Sequence, residues 1–263
     1  MITISIDPIL ISIGHFMIRW YSLIVLAATL VGIWIAGREA ERKGLGKETI
    51  YELATWLIPA GIVGARLFHV IDHWDHEYSA NPLQALYIWQ GGLAIWGGVI
   101  GGLVALAVLA RRRGWRLPLL LDILAVAVVL GQGIGRLACV ITGDAMGKPT
   151  SGPFGIAYTN PHTMVPELGV YYTPTPVYEA IMNMSIFALL WQLRKKNLPE
   201  GALFLIYLVL YSSGRFLITF WSSYRTIAFG MNQAQIISLA AFAVGLPLLI
   251  YVLRRHSLAQ AMA

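Results

Sequence analysis

The sequence predicts an all-α polytopic membrane protein with seven transmembrane helices and a small external cap. Three observations lead there. Hydrophobic residues fill 57% of the 263 positions and charged residues only 12%, where a soluble domain carries about 25% charge. The apolar residues fall in runs long enough to cross a bilayer, for which about 20 residues suffice. Of the 19 Lys and Arg residues, 13 lie in alternate connections between those runs.

Seven segments meet the length requirement, at roughly 20–37, 50–71, 87–110, 118–142, 176–193, 201–221 and 234–253. The connection after the first holds Arg38, Arg42, Lys43 and Lys47, and that after the third holds Arg111, Arg112, Arg113 and Arg116. Arg194, Lys195 and Lys196 follow the fifth, and Arg254 and Arg255 begin the tail. The opposite connections hold only Arg19, Lys148 and Arg225. The positive-inside rule then places the amino terminus outside and the carboxyl terminus in the cytoplasm. Residues 1–18 lack the basic n-region and small-residue cleavage site of a signal peptide. Residues 1–263 therefore read as a single integral membrane domain. Within it the connection 143–175, rich in Gly, Pro and Thr, is too long for a turn and is the expected external loop or cap.

The net charge of +6 needs no nucleic acid, because most of the cations face the anionic lipids of the cytoplasmic leaflet. The single cysteine, Cys139, excludes an internal disulfide and a multi-cysteine zinc site. His69, His73 and His76 with Asp72 and Asp75 straddle a span end and a loop at loose spacing. A solvated surface is the expected reading, and neither a metal nor a cofactor is expected.

The chemistry is carried by three arginines inside apolar segments, Arg66, Arg136 and Arg215. Each costs about 2.5–3.5 kcal/mol at a membrane helix centre on the mildest scale, so each calls for a partner or a ligand. At 1.5 Å per residue they lie roughly 24, 27 and 21 Å from the cytoplasmic ends of segments two, four and six. They thus share a depth in the outer half. Tyr21, Tyr178, Glu179, the pairs Gly91-Gly92 and Gly97-Gly98, and Asp144 fall near the same level. Structural pairing accounts for one arginine more readily than for three, since Asp144 and Glu179 are the only acids at hand. Surplus positive charge calls for an anion, and the guanidinium fork suits phosphate oxygens. A phospholipid headgroup reaching the site from the outer leaflet is the candidate. The glycine pairs either open the backbone beside a ligand or allow close helix packing, and packing is the expected role of Gly101 and Gly102. Tyr21 and Trp20 also fit an interfacial aromatic belt.

The stretch from Gly131 to Gly147, GQGIGRLACVITGDAMG, resembles the G-R-x-G-N-F-x-N-x-E-x-x-G signature of the prolipoprotein diacylglyceryl transferase family. Trp20-Tyr21, Gly64-Ala65-Arg66, the run Gly91 to Gly98, Pro174 to Glu179 and Gly214-Arg215-Phe216 are similar to further family motifs in the same order. The resemblance covers nearly the whole chain. It implies transfer of diacylglycerol from phosphatidylglycerol to the lipobox cysteine of a prolipoprotein, in the bacterial cytoplasmic membrane with the active site toward the outer face. The implied partners are phosphatidylglycerol, prolipoprotein signal peptides and membrane lipids. The implied catalytic residues are Arg136, Arg215 and Asp144. The implied substrate-binding residues are Tyr21, Arg66, Gly97, Gly98, Cys139, Gly147, Tyr178 and Glu179, with Arg66 structural or secondary. The chain departs from the family where Trp96 replaces a histidine, Cys139 an asparagine, Asp144 a glutamate, Thr173 a histidine and Thr219 a glutamate. These departures leave the general base open. The rival reading is a transporter or channel for anionic solutes or lipids, with the arginines as its filter.

Overall fold

The computed structural model describes residues 1–14 and 16–261 and is mostly helical. Its α-helices are α1 (Trp20–Arg42), α2 (Lys47–Asp72), α3 (Ile95–Arg113), α4 (Leu117–Thr142), α5 (Thr175–Leu193), α6 (Ala202–Ile218) and α7 (Gln233–Ala261). Among the described residues six helices are long and apolar enough to cross a membrane: α1, α2, α3, α4, α6 with its terminal turn, and α7. The fifth expected segment, α5, is not among them, because Thr175, Tyr178, Glu179 and Asn183 occupy its first half. The apolar helix surfaces are open: the most apolar window of α7 is only 11% buried within the protein. Such continuous exposed apolar surface belongs in lipid.

The chain forms two compact units, Met1–Ile35 with Leu121–Ala263, and Ala36–Leu120. In the second unit α2 lies against α3 through small residues. A Cβ on Gly64 would come within 3.1 Å of the Gly101 Cα, and one on Gly101 within 3.2 Å of both the Ala60 carbonyl carbon and the Gly64 Cα. Gly97 likewise faces the Gly64 carbonyl and Phe68. Small residues four apart on both helices permit this approach. Gly102, expected to share in it, has no atom within 4 Å of a built Cβ and lies off the contact face. Arg113 closes the far end on Glu52, with Nε 2.8 Å from the carboxylate.

The third expected segment, from 87, starts as a helix only at Ile95. Residues 74–90 form a π-helical turn and two 3-10 turns, and Gly91 and Gly92 then take φ of 93° and 73°. An apolar run does not reveal that its first part is loop. Positive φ at two successive glycines ends the irregular stretch and lets α3 begin.

In the first unit β1 (Ile2–Ile4) pairs in parallel with β4 (Ile156–Tyr158), and β2 (Ile9–Ile13) forms a hairpin with β3 (Phe16–Arg19). A second hairpin, β5 (Thr226–Ala228) with β6 (Met231–Asn232), separates α6 from α7. The 143–174 stretch gathers Met146, Ile156, Tyr158 and Tyr172 into a cluster against Ile4, Val140, Val165, Val170 and Val177. Tyr158 is fully buried and donates to the Val140 carbonyl at 2.6 Å; burial holds its phenol above the usual pKa. Asp122 of α4 accepts from the backbone N–H groups of Gly201 and Phe204 at 2.8 and 2.9 Å. It thereby caps the amino terminus of α6 from another helix, where orphan donors and the helix dipole favour a carboxylate.

Candidate functional site

The site is assembled in the first unit by the end of α4, the start of α5 and the end of α6. Glu179 stands one turn into α5, just past the Pro174–Pro176 turn, and is 3% exposed. Its Oε1 accepts from Arg215 Nη1 at very short range, and Arg136 Nε lies 2.7 Å from Oε2. The second contact is an ion pair whose N–H direction misses hydrogen-bond geometry. One carboxylate between two guanidiniums leaves one positive charge uncompensated within this trio.

Neither arginine is saturated. Arg136 holds its Nε in ion-pair contact with Glu179 and points Nη1 at the Cys139 sulfur 3.9 Å away. Arg215 uses one on Glu179 and one on the Tyr224 hydroxyl at 3.3 Å, with that ring 5.6 Å from its guanidinium carbon. A guanidinium has five N–H donors, so each keeps three without a partner among the described residues. These can serve an anionic oxygen. Cys139, 4% exposed, sits between Arg136 and Asp144, with the thiol 3.9 Å from Asp144 Oδ2. Tyr21, at the start of α1, is within electrostatic reach of Cys139, Asp144 and Arg136.

Gly147 is held by packing. Its N–H donates to the Thr173 carbonyl at 2.8 Å, and a Cβ there would strike the Trp221 carbonyl and approach Thr175 Cγ2 to 2.9 Å. It stitches the segment after α4 to the start of α5 and the end of α6. The Tyr178 backbone N–H donates to the Pro174 carbonyl at 3.2 Å, in the first turn of the helix that carries Glu179.

Arg66 belongs to the second unit and is 7% exposed. Nε donates to the Ala85 carbonyl at 2.9 Å, Nη1 to those of Gly91 and Gly92 at 2.7 and 3.1 Å, and Nη2 to those of Gln84 and Tyr87 at 2.6 and 3.5 Å. All five of its donors are thus spent on one loop, and the Tyr78 ring lies 5.3 Å from its guanidinium carbon. A Cβ on Gly92 would lie 2.6 Å from Arg66 Nη1 and from the His69 ring. Gly97 and Gly98 lie on the α2–α3 face described above. His69 stacks on His73 with centroids 4.2 Å apart, and no group of three metal-ligating side chains occurs among the described residues.

Tyr224 was not marked by the sequence reading. It follows α6 in a polar turn, and nothing in that local pattern shows it folding back onto Arg215.

Six helices apolar and long enough to cross a membrane, together with two partly unsatisfied guanidiniums in the first unit, define a polytopic membrane protein equipped to hold an anionic group. The family model for prolipoprotein diacylglyceryl transferase matches residues 8–251. The phosphatidylglycerol–prolipoprotein diacylglyceryl transferase of Bacillus mycoides (strain KBAB4) is 36% identical over 260 residues, covering 98% of this chain and 95% of the relative. The protein of that name from Geobacillus kaustophilus (strain HTA426) is 38% identical over 257 residues, covering 95% and 93%. The chain belongs to the prolipoprotein diacylglyceryl transferase family.

Proposed function

We propose that this chain transfers the diacylglyceryl group of phosphatidylglycerol to the lipobox cysteine thiol of a prolipoprotein. The products are a thioether and glycerol phosphate. Family membership and the names of the relatives support the reaction. The observation that ties it to this chain is the Glu179-bridged pair Arg136 and Arg215 with its unspent donors. The thiol gives up its proton, sulfur bonds to the glyceryl carbon, and the carbon–oxygen bond breaks with its electron pair leaving on the phosphate. Charge therefore grows on phosphate oxygens, where fixed guanidinium donors stabilise it. The same positive field favours the attacking thiolate. Asp144 is the proposed proton acceptor, and Tyr21, Cys139, Tyr178 and Glu179 border the reacting groups. Arg66 serves by fastening the 84–92 loop. The reaction as written needs no cofactor.

The setting proposed is the bacterial cytoplasmic membrane, as a single integral membrane domain with α5 as a seventh span. The distribution of basic residues supports an outward-facing site beneath an external cap at 143–175. Signal peptides of prolipoproteins and surrounding lipids are the partners. A transporter of anions or lipids is not favoured by the relatives. Purified protein, phosphatidylglycerol and a lipobox peptide provide the test. A thioether-linked diacylglyceryl peptide is the expected product; lipid or anion flux without it contradicts the proposal.

A further inference from the structure

A second level of polar groups lies one turn toward the middle of the same three helices. Four residues from Arg136 on α4 is Gln132, four from Glu179 on α5 is Asn183, and four from Arg215 on α6 is Tyr211. Each step is about 6 Å along its helix, away from the nearer helix end. The Tyr207 hydroxyl donates to Gln132 Oε1 at 3.1 Å, joining α4 to α6 at this depth. Gly133 abuts Met184 and Gly214 abuts Met182, which sets α5 beside both. Asn183 is 1% exposed, and its Oδ1 has no hydrogen-bond partner among the described residues. A buried amide oxygen is costly to leave unpaired, and polar groups inside membrane segments mark binding sites or pathways.

We propose that this level binds an ester carbonyl of the phospholipid whose phosphate rests on Arg136 and Arg215, with Asn183 the principal contact. The inference rests on the transferase reading above. In a diacyl phospholipid the ester groups follow the phosphate by the length of the glycerol unit, a span comparable to one helical turn. The outer level is ionic and suits phosphate. The inner level is neutral, and amide and phenol donors suit an uncharged carbonyl oxygen. The two ends of the Asn183 amide are nearly isosteric, so its orientation follows its partner, and with Nδ2 at the buried unpartnered position it donates to a carbonyl oxygen. The site then distinguishes an acyl ester from an ether, which lacks the carbonyl. Packing alone would be met equally well by a leucine.

The test measures kcat/KM of the purified protein with a lipobox peptide and either diacyl phosphatidylglycerol or its dialkyl ether analogue of equal chain length. The wild type is expected to prefer the diester about tenfold, the scale of a well-made hydrogen bond. Asn183→Leu brings the ratio near one, chiefly through KM for the diester, while Tyr211→Phe and Gln132→Leu lower it partway. Asn183→Ala gives the same readout should the leucine variant fail to insert. A wild type indifferent to the ether, or an inserted Asn183 variant that keeps the tenfold ratio, overturns the proposal. A wild type that turns over neither lipid contradicts the transferase reading itself, and the inference falls with it.

Discussion

Position 96 holds an indole where many family members carry a histidine, and an indole is a donor with no basic nitrogen. A base at that position therefore cannot operate in this chain. Asp144, the proposed proton acceptor, lies 3.9 Å from the Cys139 thiol. We expect Trp96→Phe to keep much of its transfer activity and Asp144→Asn to slow the reaction more than Cys139→Ser does. The rate should rise with pH as the substrate thiol, ordinarily ionising near about 8.5, becomes thiolate. Replacing His69, His73, His76, His162 or His256 singly should leave turnover largely intact, measured on protein shown to be inserted. The same expectation holds for His15, which lies outside the described residues. Loss of turnover on changing any one of them would identify a different base. The arginines were visible in the sequence because charge inside an apolar run is conspicuous, and Arg66 already read as structural or secondary there, yet the carbonyls that hold it were not visible. Arg66 spends its five donors on carbonyls of residues 84–92, far along the chain, and no local pattern announces that.

The helices were legible because an apolar run is a length measurement, and observed starts agree closely wherever a charged or Gly-rich turn bounds the run. They diverge at α3, where only residues 88–90 make a 3-10 turn and the helix itself begins at Ile95. The roles of the glycines also needed the structure, since helix contact and ligand contact both favour a missing side chain. Gly64 and Gly97 sit against each other's backbone. Gly64→Val or Gly97→Val should therefore destabilise the α2–α3 pair by about 1–3 kcal/mol through overpacking, read as lower thermal stability in detergent. Asp122→Asn should weaken the cap on α6, costing about 1 kcal/mol. An unchanged melting temperature in that variant would remove Asp122 from the account of why α6 begins where it does.

For the whole molecule, the asymmetry of basic residues predicts that a cysteine introduced at Asn160 reacts with a membrane-impermeant reagent from outside. Labelling from the cytoplasm alone would invert the topology. The short β elements and the Tyr158-centred cluster were not foreseen, because three-residue strands carry little periodicity and their partners are distant in sequence: β1 pairs with a strand more than 150 residues later. The central claim is that the Arg136–Glu179–Arg215 cluster receives the leaving phosphate through guanidinium forks. Arg136→Lys keeps the charge and loses the fork. Single-turnover transfer from phosphatidylglycerol to a lipobox peptide should fall about 100-fold or more in this variant, with insertion and thermal stability close to wild type. Near-normal transfer by Arg136→Lys would contradict it.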